Sequence, residues 1–219
     1  FTNTYAPLEA LRKAYEEALA IEDIVGLSIG TRPDCINEPI LDLLQEYAEH
    51  SLIWIEYGLQ SCHDDTLRII NRGHDAACFQ QAVRATQDRG IKICAHVILG
   101  LPGEKRPQML QTADFITNLD IDGIKLHLLY IIKGTTLESM YQQGRYQCLS
   151  QNDYIDLVCD FLERIPRKVV IQRITGDPHP HELVAPRWSL RKAETLTKIK
   201  MRLEDRNTWQ GRILEAGDS

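Results

Sequence analysis

Between Leu52 and Glu104 two short apolar runs each end in a polar, glycine-bearing stretch, and the distance between them restricts the folds open to this chain. The first run is Leu52-Ile53-Trp54-Ile55-Glu56-Tyr57-Gly58-Leu59-Gln60-Ser61, followed further on by Asn71-Arg72-Gly73-His74. The second is Ile91-Lys92-Ile93-Cys94-Ala95-His96-Val97-Ile98-Leu99-Gly100-Leu101-Pro102-Gly103-Glu104. The segment from His63 to Arg89 is long enough for a crossover helix, so the two strands read as parallel neighbours whose C-terminal ends open on one face. Open sheets and β/α barrels place ligands at that face. Gln60, Arg72 and His96 are expected to converge there.

The rest of the chain repeats the pattern. Residues 1–7 read as the end of a strand whose earlier part lies upstream, and Pro7 suits the first turn of a helix. Leu8, Leu11, Ala14, Tyr15, Ala18 and Leu19 then recur at helical spacing to about Ala20. Residues 24–30 form a β-rich run closed by Thr31-Arg32-Pro33-Asp34, and residues 38–50 carry Ile40, Leu41, Leu44, Tyr47 and Ala48 on one helical stripe. Helix is expected around Leu67, Ile70, Phe79, Ala82 and Val83, and again over 107–119, while residues 123–132 read as one strand closed by Lys133-Gly134-Thr135. Strand and helix thus alternate about five times with no hairpin signal, which selects a parallel α/β sheet or barrel. A helix over 152–164, a last strand over 169–174, a loop over 175–181 and a helix capped by Ser189 and running to about Arg206 complete the chain. Residues 1–150 read as a partial barrel and 151–219 as a C-terminal strand-loop-helix extension.

At 219 residues and 43% hydrophobic the chain can bury a core. A net charge of -6 gives no global attraction to nucleic acid or an anionic membrane. No apolar run approaches the roughly 18 residues of a transmembrane helix, and the chain reads as cytoplasmic, with no membrane partner. Cys35, Cys62, Cys78, Cys94, Cys148 and Cys159 contain no Cys-x-x-Cys pair and read as reduced, mostly packed thiols.

Alternate residues of a strand share a face, which puts Glu56, Gly58 and Gln60 together, and His96, Ile98 and Gly100 together. Gln60 and His96 offer donors and acceptors without a fixed charge, which suits ribose hydroxyls, and Arg72 nearby suits a carboxylate through its planar fork. The turn Gly100-Leu101-Pro102-Gly103 permits close backbone approach to a flat ligand. Tyr130, Lys133, Arg173 and His179 lie at or beyond strand ends, where a substrate can be met.

Thr2-Asn3-Thr4, Thr31-Arg32-Pro33-Asp34, Gly58-Leu59-Gln60-Ser61 with Asn71-Arg72-Gly73-His74, and residues 98–104 together resemble the radical S-adenosylmethionine (SAM) superfamily. The resemblance is to the branch that holds the Elongator catalytic subunit, oxygen-independent coproporphyrinogen oxidase and YhcC-like proteins. Residues 127–135 and Trp188-Ser189-Leu190 look YhcC-like. It implies a partial β/α barrel, of about six strands in the parent, that binds a [4Fe-4S] cluster and SAM at the strands' C-terminal ends. Carried over by position, Thr2, Asn3 and Thr4 hold the amino group of the methionine moiety and Arg72 its carboxylate. Gln60 and His96 reach the ribose, and the Gly100 turn with Ile132 covers the adenine. Gly30 stands where the coproporphyrinogen oxidase pattern has a glutamate, and His96 where it has an aspartate. The cluster cysteines of such proteins are expected upstream of Phe1, so no metal ligand is expected within this sequence.

The resemblance implies cleavage of SAM to a 5′-deoxyadenosyl radical, with an electron donor such as flavodoxin or ferredoxin. Two other functions fit strand-end glycines and arginines: a cluster-free barrel enzyme for a small phosphorylated or carboxylated metabolite, and a non-catalytic binding module. The basic residues Arg187, Arg191, Lys192, Lys198, Lys200, Arg202 and Arg206 raise tRNA as a substrate. Beyond that the substrate is not legible in the residues.

Overall fold

A computed structural model describes residues 3–215. Its elements are α1 (Leu8–Leu19), β1 (Gly26–Thr31), α2 (Glu38–Ala48), β2 (Leu52–Gln60), α3 (Asp64–Ile69), α4 (Ala76–Thr86), β3 (Lys92–Leu99) and α5 (Arg106–Thr117). They continue with β4 (Gly123–Leu128), β5 (Ile131–Ile132), α6 (Thr136–Gln142), α7 (Gln151–Leu162), β6 (Val170–Arg173), β7 (Leu183–Ala185), α8 (Lys192–Asp205) and α9 (Arg212–Glu215). A five-stranded parallel sheet runs in the order β1-β2-β3-β4-β6, the α/β architecture expected from the alternation. In the β1–β2 pair, Gly26 stands opposite Leu52 and Thr31 opposite Tyr57.

Local chemistry accounts for the helix starts. Asn37 caps α2 by accepting from the Ile40 amide at 3.1 Å, with Pro39 in the first turn, and Asp75 caps α4 by accepting from the Cys78 amide at 2.7 Å. Ser150 caps α7 by accepting from the Asp153 amide at 3.1 Å.

Packing divides the described chain into two compact units. One holds the residues up to His96 with Leu119–Ile124, and the other holds Val97–Asn118 and the residues from Lys125 onward. The first is built on Ile53, Ile55, Tyr57 and Leu59 of β2, all fully buried and alternating along one face of the strand. Phe79 of α4 meets Tyr57 edge to face at 6.3 Å between ring centroids, and the Tyr57 hydroxyl shares a 2.8 Å hydrogen bond with Thr86. The second unit packs α7, through Tyr154, Val158 and Phe161, into its core with Ile199 of α8. Asp156 and Asp160 of α7 accept from Arg202 of α8 and from Arg206, which caps its C-terminus, the Arg206–Asp160 contact measuring 2.7 Å.

Several local expectations are corrected. Asn3–Tyr5 is a 3-10 turn, not a strand end. The crossover between β2 and β3 is two helices, because the left-handed pair Asn71 and Gly73 interrupts it. The run 123–132 splits into β4 and β5, since the chain turns after Leu128 and the Tyr130 ring packs over Gly176, where a Cβ would stand 2.8 Å away. β5 then pairs antiparallel with β7, an antiparallel pair that the strand-helix alternation did not announce. Ser189 is buried within a 3-10 turn (Arg187–Leu190) and donates to the Pro186 carbonyl at 2.7 Å, so it does not cap α8, whose first turn follows Arg191.

Candidate functional site

The end of β2 and the turn after α3 build the site in the first unit. Helix α3 stops in a Schellman motif: the Arg72 amide donates to Leu67 O at 2.9 Å and the Asn71 amide to Arg68 O at 3.0 Å, with Asn71 at φ 52°. Asparagine tolerates this left-handed position better than most residues. The turn carries the Arg72 side chain back over β2, where its Nε and Nη2 donate to the Gly58 carbonyl at 3.3 and 3.0 Å. The His74 Nε2 joins the same carbonyl at 3.1 Å. Burial, opposed by its bond to Asp75 O, holds the His74 pKa below the usual histidine range.

Gly58 has to be glycine for this arrangement. A Cβ there would overlap Arg72 Nη2 and lie 2.7 Å from Gln60 Nε2, so guanidinium and amide both rest against its α-carbon. Gln60 itself has φ 72°. For a residue with a Cβ that conformation costs about 1–2 kcal/mol, the kind of strain that collects at ligand sites.

Arg72 forms no ion pair among the described residues, although it is half-buried. Its neighbour Arg32, which lies over Gly73, is already clamped by Asp34 (Nε to Oδ1 2.8 Å, Nη2 to Oδ2 2.5 Å). Burial first, and then Arg32, push the Arg72 pKa down. An incoming carboxylate relieves both effects.

His96 reaches the face from β3, with its Nε2 2.7 Å from an oxygen of Glu56, whose side chain is 7% exposed. The other Glu56 oxygen accepts from Ser28 Oγ of β1. Glu56, Gly58 and Gln60 share a face of β2 at about 7 Å per pair of residues. His96, Arg72 and Gln60 are therefore gathered along one strand. Reading the sequence placed Glu56 on this face but missed its bond to His96; the signal was a carboxylate in the middle of a buried strand.

The other expected residues lie as follows. Thr2 is outside the described residues. Asn3 is exposed and its Oδ1 accepts from Tyr15 at 2.5 Å. Thr4 is buried, and its hydroxyl meets Thr31 Oγ1 at 2.5 Å and Cys35 O at 2.6 Å. It borders a groove of about 660 Å³ lined also by Pro7, Asp34, Cys35, Asn37 and Ile40. Gly100 and Ile132 belong to the second unit. At Gly100, φ 91°, the side a Cβ would take faces Leu149 at 3.3 Å, and the carbonyl accepts from Tyr146 at 2.7 Å. Close approach at that glycine is thus made by the chain's own loop. Tyr130, Lys133 and Arg173 lie in the second unit, Lys133 and Arg173 exposed. No group of three or more metal-binding side chains is assembled among the described residues, and no helix there is long and apolar enough to cross a membrane.

An α/β protein with a parallel sheet and polar groups gathered past one strand end is the class these observations define. The chain belongs to the radical SAM superfamily: residues 2–116 match the model of that superfamily, and residues 121–205 match its Radical_SAM C-terminal domain. It is 45% identical to YtqA of Bacillus subtilis, covering 98% of this chain and 67% of that protein. It is 46% identical to MJ0486 of Methanocaldococcus jannaschii (96% and 66%) and 41% identical to YhcC of Escherichia coli (86% and 61%). The chain therefore spans about two thirds of the length of these relatives. Among solved structures, the archaeal Methanocaldococcus infernus Elp3 with an N-terminal deletion superposes with a TM-score of 0.76 at 18% identity, over 95% of this chain and 53% of that one. That likeness shows a shared partial-barrel fold.

Proposed function

We propose that this chain holds S-adenosyl-L-methionine for a radical enzyme, with Arg72 receiving the methionine carboxylate and Gln60 and His96 meeting the ribose. The observation that carries the reading is Arg72, a half-buried guanidinium anchored on Gly58 with no carboxylate partner among the described residues. The residues present fit the group: a cation for its carboxylate, a glycine that admits the guanidinium, and a strained glutamine at the rim. Superfamily membership and the fold shared with Streptococcus suis SuiB bound to S-adenosylmethionine (TM-score 0.56, 18% identity, 81% of this chain and 38% of that one) support it. Bound beside a reduced [4Fe-4S] cluster, SAM supplies radical chemistry that takes hydrogen from a substrate, and the protein's part is to bind, orient and exclude water. In this reading the cluster ligands lie outside this sequence, and a donor such as flavodoxin or ferredoxin provides the electron. Thr4 already spends its hydroxyl on Thr31 and Cys35, which leaves Arg72, Gln60 and His96 as the main contacts.

Calorimetric titration with SAM tests this. Arg72→Ala is expected to weaken binding about tenfold or more and Gln60→Ala about fivefold, because a charge-assisted hydrogen bond is worth roughly twice a neutral one. Equal affinity in wild type and both variants would place the ligand elsewhere.

For the substrate, tRNA engaged through α8 loses much of its motive. Lys198 pairs with Glu194 at 2.5 Å, Lys192 with Asp177 at 3.2 Å, and Arg202 and Arg206 with Asp156. Cations neutralised within the fold release few counterions on meeting phosphates. Charge reversal at Lys198, Lys200 and Arg202 is expected to lower the melting temperature by breaking the Arg202–Asp156 pair with α7, the Lys198 hydrogen bond to Gln151 and the Lys198–Glu194 and Lys200–Glu204 pairs within α8. A salt slope of tRNA binding that flattens by about 0.7–0.9 per lost phosphate contact, at unchanged melting temperature, would restore α8 as the interface.

A further inference from the structure

Arg32 and Arg72 are each seated on a glycine α-carbon in the first unit, and among the described residues only Arg32 of the two has a counter-ion. Arg72 rests on Gly58 and donates Nε and Nη2 to that residue's carbonyl at 3.3 and 3.0 Å. Arg32 rests on Gly73, the residue after Arg72, with its Nη2 2.8 Å from where a Cβ would stand. Its fork closes on Asp34: Nε meets Oδ1 at 2.8 Å and Nη2 meets Oδ2 at 2.5 Å, so each carboxylate oxygen has a donor of its own. We infer that Arg32 is a positioning residue: by gripping both oxygens of Asp34 it keeps this carboxylate off Arg72 and leaves Arg72 open to the carboxylate of a ligand. The inference rests on reading Arg72 as the contact to the methionine carboxylate of SAM, and it says how that cation stays available.

Asp34 sits in a 3-10 turn (Pro33–Cys35) whose backbone is held on both sides, since Pro33 is buried and the Cys35 carbonyl accepts from Thr4 Oγ1 at 2.6 Å. Removing Arg32 therefore leaves the carboxylate in place and frees only its direction. The Arg32 fork holds the Asp34 pKa below the usual carboxylate range, so the group is ionised at neutral pH. Burial and then Arg32 lower the Arg72 pKa while Asp34 works against both, so the field of this carboxylate already reaches the guanidinium. A half-buried cation with an ionised carboxylate in range gains from pairing with it, unless a stronger grip points the carboxylate elsewhere. The two-point contact with Arg32 is that grip. A purely structural role, tying the 3-10 turn to the turn after α3, is the competing explanation. It predicts that removing Asp34 as well makes matters no better, whereas removing a competitor restores the ligand's contact.

The experiment uses the whole protein, calorimetry with SAM and with decarboxylated SAM, and a crystal structure of one variant. Arg32→Ala is expected to weaken SAM about tenfold, the worth of a charge-assisted contact, and to leave decarboxylated SAM within about twofold of wild type. Its crystal structure is expected to show Asp34 within salt-bridge distance of Arg72, about 4 Å or less. Arg32→Ala with Asp34→Ala removes the pair without changing the net charge, and is expected to bring SAM affinity back to within about twofold of wild type. Where Arg32→Ala does not fold, Arg32→Gln, which keeps the stem and loses the fork, takes its place with the same expectations. Wild-type SAM affinity in the Arg32 variant overturns the proposal, and so does equal weakening of both ligands. A double variant that binds no better than the single one overturns it too, as does an Asp34 that stays clear of Arg72. Wild-type protein that takes up no SAM, or Arg72→Ala that binds it as well as wild type, sinks the cofactor-site reading and this proposal with it. SAM binding lost in Arg72→Ala and untouched in the Arg32 variant sinks this proposal alone.

Discussion

Gly58→Ala is expected to reduce SAM affinity about a hundredfold while moving the melting temperature by no more than a few degrees. The new Cβ would occupy the place of Arg72 Nη2 and crowd Gln60 Nε2 at 2.7 Å, so both side chains have to leave. Each is the free end of a flexible chain, which keeps the structural cost small. The functional loss combines a charge-assisted contact of about 1.5–3 kcal/mol with a neutral one of about 1 kcal/mol. Calorimetry on the single variant and on Gly58→Ala with Arg72→Ala decides the matter. If the second change adds a further large loss, Arg72 was not displaced by the first.

Phe79→Ala is expected to remove about 3–5 kcal/mol of stability, measured by denaturant unfolding, because a fully buried ring is lost and a cavity remains. Phe79 is the edge-to-face partner of Tyr57, so the loss loosens α4 against β2. Phe79→Leu, which fills most of the space, is expected to cost well under half as much. SAM affinity of the folded fraction should stay near the wild-type value in both, since the ring's role is to pack on Tyr57. A loss below about 1 kcal/mol in Phe79→Ala would mean that the α4–β2 seam is not where this unit draws its stability.

How far the fold could be read from residues follows from the range of each interaction. β2 and β3 announce themselves by apolar runs and by the distance between them, and the parallel sheet follows. β5 and β7, at two and three residues, are too short to carry a period, and Ile131-Ile132 continues the apolar run of β4 without a break. Their pairing is decided by partners about fifty residues apart. The same limit hid the state of α8. Its cations look available along the sequence, while the carboxylates that take up Arg202 and Arg206 sit on α7, 46 to 50 residues earlier. At the site, the polar types Gln60, Arg72 and His96 were legible. That Arg72 lies on the α-carbon of Gly58, and that Glu56 holds His96, depends on which strands are neighbours. Thr4 shows the converse: its type suits a ligand, but its hydroxyl is engaged by Thr31 and Cys35.

The turn that ends α3 makes the span between Gln60 and Arg72 a caliper. Arg72 reaches Gly58 because residues 61–71 contain one short helix closed at a set point by Asn71. One residue added to or taken from α3 would rotate that closing turn by about 100° and carry the guanidinium off the strand. The spelling of this segment can therefore drift while its length cannot. Over evolutionary time the site should be recorded more faithfully by the count of residues between β2 and Arg72 than by the identity of most of them.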